Sequence, residues 1–217
     1  MNDILIGITA IVIGYLLGSI SFSRVVTRLV SPGLDLKNTL VPVVGSDEKV
    51  PMTGVSPTSV RFSLGPKYGL LASFLDMVKV AVPVAIFHFI FPDSPADFLA
   101  ATGGIIGHNW PLYHKFIGGY GQSAIYGALM VLNWPAVLVN FFGTSILFLI
   151  FKQVHIASVG GVLILIPWFY YLHHGPYALL YAGVCSVAYF IRVFPDFKAM
   201  REVLKRKSNT EEGTKGG

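Results

Sequence analysis

The chain has 217 residues, 53% hydrophobic and 12% charged, with a formal net charge of +5 and a mean hydropathy of +0.65. Soluble domains carry about 25% charged residues, so water alone cannot solvate this surface and lipid must cover much of it. The basic residues flank apolar runs, which argues against nucleic acid as the reason for a pI of about 9.3; anionic headgroups and a phosphorylated substrate fit better.

Crossing the hydrocarbon takes about 20 apolar residues in a helix. Residues 4–26 form the first such run. It begins beside Asp3, lacks a basic start and is long, so it reads as a retained span and not a signal peptide. Residues 38–66 form a polar joint rich in Gly, Pro, Ser and Thr. Residues 68–91 are the second span and 98–113 a shorter third. Residues 122–151 are too long for one span and short for two. Charge decides the matter, because a single crossing would put Lys152 and the basic tail outside, against the positive-inside bias. A hairpin bending at Asn133, Trp134 and Pro135 keeps both inside, and proline there suits a helix start. Residues 157–171 and 177–194 complete the set.

Joints carrying Lys or Arg alternate along the chain with joints carrying none. The first group includes Arg24, Arg28, Arg61, Lys67, Lys115, Lys152 and the tail; the second surrounds Asp93 to Asp97, Asn133 to Pro135 and His173 to Pro176. The expectation is an all-α polytopic membrane helix bundle of about seven spans, with its N-terminus outside and its C-terminus cytoplasmic. Residues 1–207 form one domain and 208–217 a disordered tail. Gly14 and Gly18 have a G-x-x-x-G spacing that suits close helix packing within the bundle. Cys185, the only cysteine, sits in an apolar run as a core residue. No internal repeat appears, which weighs against a transporter built of two related halves.

Three polar clusters fall on the basic side. Residues 45–69 place Thr58 and Ser59 near Arg61, with Lys67 opening the next helix. Hydroxyls, amides, a guanidinium and a helix N-terminus are what a phosphate monoester needs, and a polar linker touching headgroups accounts for them equally well. Residues 107–123 join His108, a proline and the turn of Gly118, Gly119 and Gly121, with His114 and Lys115 at the membrane edge. Glycines let backbone amides converge on an anion, and a histidine inside an apolar span usually has a purpose. Asp76 and Lys79, three apart in the second span, read as a structural ion pair. No metal site is expected, since His108 and His114 lack a neighbouring carboxylate, and no cofactor motif is present.

These residues resemble the bacterial acyl-phosphate:glycerol-3-phosphate acyltransferase family. Gly18-Ser19-Ile20-Ser21-Phe22 is similar to its G-S-I-P-F, and Asp35 to the acidic residue that follows. Ser59-Val60-Arg61 through Leu64-Gly65 resembles the end of G-S-G-N-x-G-x-T-N-V-x-R-x-x-G, with Arg61 one place early. Leu75-Asp76 to Lys79 resembles L-D-x-x-K, and Gly107-His108, Trp110-Pro111 and Phe116 to Gly121 resemble G-H-x-x-P…F-K-G-G-K-G. The resemblance implies a multi-pass enzyme of the bacterial inner membrane with a cytoplasmic active face. It would transfer an acyl group from acyl phosphate to glycerol 3-phosphate and make lysophosphatidate. For that reaction the candidate residues are His108 and Ser59 for catalysis, and Thr58, Arg61, Gly118, Gly119 and Gly121 for phosphate, with Lys67 and Lys115 as substitutes for motif lysines that this chain lacks.

The chain also departs from those motifs. Gly45-Ser46 is followed by Asp47-Glu48, Ile117 and Tyr120 stand where the glycine motif has lysines, and the region after the last span reads Asp196-Phe197-Lys198-Ala199 where the family has a His and an Asn. Those departures motivate a second reading, a non-catalytic or altered-acceptor relative that binds lipid or a phosphorylated metabolite.

Overall fold

A computed structural model describes residues 2–43, 46 and 48–215, with side chains described through residue 206. Gly45 and Asp47 of the polar joint, and the side chains of Lys207 and Lys215, lie outside the described residues. The chain is an all-α membrane helix bundle, with one small hairpin in its longest joint.

The first apolar run forms α1 (Asp3–Gly18) and α2 (Phe22–Val30). The sequence predicts one uninterrupted helix here, and the structure breaks it between them. Ser19 stops α1 with its hydroxyl on the Tyr15 carbonyl at 2.8 Å, and the freed Ile20 carbonyl accepts the Lys79 ammonium at 2.6 Å. In the following joint, β1 (Leu40–Pro42) and β2 (Lys49–Pro51) pair antiparallel. The hairpin buries Val43 and Val50 against Val203 of the last helix, an apolar reason for strands in a stretch read as polar. Next come α3 (Pro57–Leu64) and α4 (Pro66–Ile90).

α5 (Ala96–Asn109) is a 14-residue helix at the centre of the bundle. Its alanines and glycines are buried on every side, so protein and not lipid surrounds it. α1 lies along it at backbone contact: a Cβ at Gly14 would stand 2.1 Å from the Ala100 carbonyl oxygen, and one at Gly107 would stand 2.2 Å from that of Tyr15. The G-x-x-x-G spacing therefore serves packing within the bundle.

α6 (Gln122–Leu132) and α7 (Trp134–Phe151) are separated at Asn133, where the sequence places the bend. The Asn133 side chain caps α7 through the Ala136 amide at 3.0 Å. The next predicted span divides into α8 (Val154–Leu163) and α9 (Leu165–Tyr171), because the ring of Pro167 opposes the carbonyl four residues earlier. α10 (Pro176–Lys215) runs beyond its predicted span. Among the described residues, five helical stretches are long and apolar enough to cross a membrane; α6, with 11 residues, is shorter. The predicted third span falls on the 14-residue helix α5, and the first arm of the predicted hairpin on α6.

Contacts sort the joints as charge does. At one end, Arg24 reaches Ile117 and Arg192 reaches Gly118 and Gly119. At the other, Asn133 meets His174 and Trp168, while His88 meets Asp97.

The α1–α5 contact gives a direct test. Gly14→Ala should destabilise the protein by about 1–3 kcal/mol, since backbone must move to admit the methyl. Gly183→Ala, with nothing within 4 Å of the new Cβ, should leave the thermal midpoint in detergent unchanged or slightly raised.

Candidate active site

A cleft of about 250 Å³ lies at the basic end, lined by Ser56, Pro57, Thr58, Ser73, His108, Tyr120, Gly121, Gln122, Ser123, Tyr126 and Tyr189. A second cleft of about 440 Å³ shares Pro57, Thr58 and Ser73 with it and continues past Arg61, Gly69 and Leu70. Leu70 is exposed on the bundle surface. The pair of clefts therefore joins a hydroxyl-rich interior to an apolar flank, the shape of an amphiphile with a polar head.

Two helix N-termini open here. α6 begins at Gln122, and its first amides have no intrahelical acceptor. Gly121 makes the entry at φ 100°, a left-handed conformation that glycine adopts without strain. α3 begins with a capping box, in which Ser56 and Ser59 each bond the other's amide. Oriented amides at such ends favour anions.

The glycine turn is gripped from outside. Arg24 Nη2 donates to the Ile117 carbonyl at 2.7 Å, while Arg192 donates to those of Gly119 at 3.0 Å and Gly118 at 2.8 Å. The Val55 amide also donates to Gly118 at 3.0 Å. Trans peptide planes place each carbonyl opposite the next N–H, so this grip turns the amides of Gly118, Gly119 and Tyr120 the other way. That of Gly119 bonds the His108 carbonyl at 3.2 Å.

His108 is buried in the last turn of α5 and lines the cleft. A Cβ at Gly119 would lie 2.3 Å from its Nε2, so only glycine admits the ring. Its Nδ1 stands 3.9 Å from Asp76, whose carboxylate is 2.7 Å from the Lys79 ammonium. The same ammonium ties the break after α1 to α4 through the Ile20 carbonyl. Tyr120, buried at the cleft wall, donates its hydroxyl to Asp196. Burial first and that carboxylate second raise its pKa, so it stays a protonated donor. Burial, followed by the charges of Arg24 and Arg28, lowers the pKa of His114.

The structure brings Thr58, His108 and Gly121 together in the first cleft and sets Arg61 in the adjoining one. Ser59 takes another place: it is fully buried, and its hydroxyl donates to the Gly54 carbonyl at 2.9 Å, so it shapes α3 while Ser56 and Thr58 face the cleft. Gly118 and Gly119 form the turn behind His108. Lys67 and Lys115 are exposed and line neither cleft, with Lys67 lying over the Tyr68 ring at 6.0 Å. Sequence reasoning missed Arg24 and Arg192 as site residues, because both read as positive-inside markers. The available signal was Arg192 itself, a lone cation between Ile191 and Val193.

An all-α membrane bundle with a polar cleft between helix N-termini is the class that fold and site define. Within that class, a family model described as glycerol-3-phosphate acyltransferase matches residues 8–202, and the chain belongs to that family. A glycerol-3-phosphate acyltransferase of Mycoplasma mycoides is 34% identical over 174 residues, covering 76% of this chain and 62% of that protein. The chain thus spans about 62% of the length of the Mycoplasma relatives it matches. One from Aquifex aeolicus is 33% identical over 150 residues, covering 69% of this chain and 71% of that one. Among solved structures, that of PlsY (YgiH), an integral membrane glycerol 3-phosphate acyltransferase, in its glycerol 3-phosphate form, superposes with a TM-score of 0.76 at 26% identity, covering 90% of this chain and 92% of that one.

Arg192→Met keeps most of the side-chain volume and removes both bonds to the glycine turn. Charge-assisted bonds are worth about 1.5–3 kcal/mol each, so the variant should unfold at clearly lower temperature in detergent. An unchanged midpoint would mean that the turn holds itself.

Proposed function

We propose that this chain is an acyltransferase that moves a fatty acyl group from acyl phosphate to glycerol 3-phosphate, giving lysophosphatidate and inorganic phosphate. The observation that carries this reading is the continuity of the two clefts: a pocket of hydroxyls and helix N-termini leading past Arg61 to the lipid-facing surface at Leu70. An acyl phosphate has that form, with an anionic head and an apolar chain that stays in the bilayer. Glycerol 3-phosphate enters from the basic end, which we assign to the cytoplasmic side of the bacterial inner membrane.

The chemistry suits a site without a nucleophilic serine. The acceptor hydroxyl adds to the acyl carbonyl, the C–O bond to phosphate breaks, and the hydroxyl proton ends on the departing phosphate. The mixed anhydride is already activated, so the protein mainly orients the reactants and stabilises charge. Amides at the start of α6, with the hydroxyls of Ser56, Thr58, Ser73 and Ser123, supply neutral donors. Arg61 supplies a cation at the mouth. His108, held by Gly119, orients the reacting groups from the wall.

The test is lysophosphatidate formation by the protein in lipid nanodiscs, given palmitoyl phosphate and glycerol 3-phosphate. Turnover well above acyl-phosphate hydrolysis is expected. Arg61→Ala should raise KM for glycerol 3-phosphate about tenfold or more, as the loss of one charge-assisted bond requires. No turnover from folded protein would favour the non-catalytic or altered-acceptor relative instead.

A further inference from the structure

Two of the places where this chain departs from the motifs it resembles lie against each other. Tyr120 is in the glycine turn and Asp196 is on α10, 76 residues later, and the hydroxyl of one bonds the carboxylate of the other. Each also holds the loop that leads into α3. The Thr53 amide donates to Asp196 Oδ1 at 3.0 Å, and the Gly54 amide donates to the Tyr120 hydroxyl at 3.1 Å. Both side chains are buried, at 8% and 2% exposure, so water competes little for the bond between them. Gly54 has no room to vary, since a Cβ there would stand 2.8 Å from the Tyr120 ring.

The circuit spans the two walls of the cleft. Two residues after Gly54, Ser56 opens α3 and lines the cleft; on the other side Tyr120 lines it and Gly121 opens α6. One turn before Asp196 on the same helix, Arg192 holds the carbonyls of Gly118 and Gly119. α10 thus grips the glycine turn with Arg192 and the 53–54 loop with Asp196, and Tyr120 joins the two. The phenol's proton is engaged by Asp196, so it is not free to act on a substrate.

We propose that Tyr120 and Asp196 act as a positioning clamp that sets the distance between the α3 and α6 N-termini and so tunes acceptor binding, a hydrogen-bonded pair where the resembled glycine motif has a lysine. The proposal rests on the acyltransferase reading above. It makes the two departures one coupled change rather than two losses, and it accounts for a site that keeps its shape without those side chains.

The experiment is a cycle in nanodiscs with Tyr120→Phe, Asp196→Ala, Asp196→Asn and the Tyr120→Phe/Asp196→Ala pair, each checked for thermal unfolding. Kinetic constants are measured for glycerol 3-phosphate and palmitoyl phosphate. Tyr120→Phe and Asp196→Ala should each raise KM for glycerol 3-phosphate about tenfold, with kcat changing by less than KM does and KM for palmitoyl phosphate less affected. The pair should be no worse than either single variant, because both cut one circuit. Asp196→Asn, which keeps an acceptor for Thr53 and a polar partner for Tyr120, should restore most of the affinity. Additive effects, or a kcat loss with KM unchanged, would overturn the clamp. Tyr120→Lys is a separate check: if that variant alone lowers KM, the position serves as a cation site and the proposal fails. Should the native protein give no turnover, the acyltransferase reading fails first. Glycerol 3-phosphate titration by calorimetry then reads the clamp by itself, and equal affinity in native and Tyr120→Phe protein sinks it. Should Tyr120→Phe not fold, the Asp196→Ala and Asp196→Asn comparison carries the same test.

Discussion

The cleft depends on two guanidinium groups holding three consecutive carbonyls. Arg24 and Arg192, on helices at opposite ends of the sequence, take the oxygens of Ile117, Gly118 and Gly119. A glycine-rich turn has no side chains with which to hold its own shape, and its peptide groups are costly to bury unpaired. The arginines supply the partners and set the orientation of the turn. With it come the packing of His108 against Gly119, the bond from Val55 to Gly118 and the entry into α6. Placing arginine at the edge of an apolar bundle is itself expensive, and each is accommodated because carbonyls replace lost water.

The same logic runs through the neighbouring charges. The Lys79 ammonium is buried with Asp76 and takes the Ile20 carbonyl left free where α1 stops. A broken helix inside a bundle exposes carbonyls, and a membrane protein must satisfy them internally. Lys79 does so from the adjacent helix, and the Asp76 between it and His108 links that break to the cleft wall. Arg24, Arg192 and Lys79 are therefore occupied by backbone. Arg61, exposed at the mouth, lines the second cleft directly.

Much of the fold is legible in the sequence because bilayer constraints are local. Apolar length marks most of the helices, the alternation of basic joints matches the two ends of the bundle, and proline with Asn133 marks the bend between α6 and α7. Gly14 and Gly18 read correctly as packing residues, since close approach needs small residues wherever the partner lies. Features set by distant partners are not legible. The break after Gly18 needs Lys79, and the strands at Leu40 and Lys49 need Val203. Ser59 looks like an available hydroxyl until Gly54 is seen to accept it. Tyr120 and Asp196 read as separate losses because nothing in the linear chain says that they meet.

Under the proposed function, that distinction bears on how the cleft holds an anion. The resembled motifs place lysines in the glycine turn, whereas this cleft is lined by hydroxyls and opened by helix N-termini. Neutral donors bind phosphate more weakly one by one than ammonium groups do. They are also less screened by salt and, when fixed in place, need no reordering as charge moves from the anhydride to the departing phosphate. Such a site works only if its donors are held rigidly, because a hydroxyl or amide displaced by an ångström contributes little, while a flexible lysine can follow its anion. The tightly tied surroundings meet that requirement under the proposed function: the grip on the turn, the capping box of α3 and the joined walls hold neutral donors in place, as a phosphate site must when it relies on geometry more than on net charge.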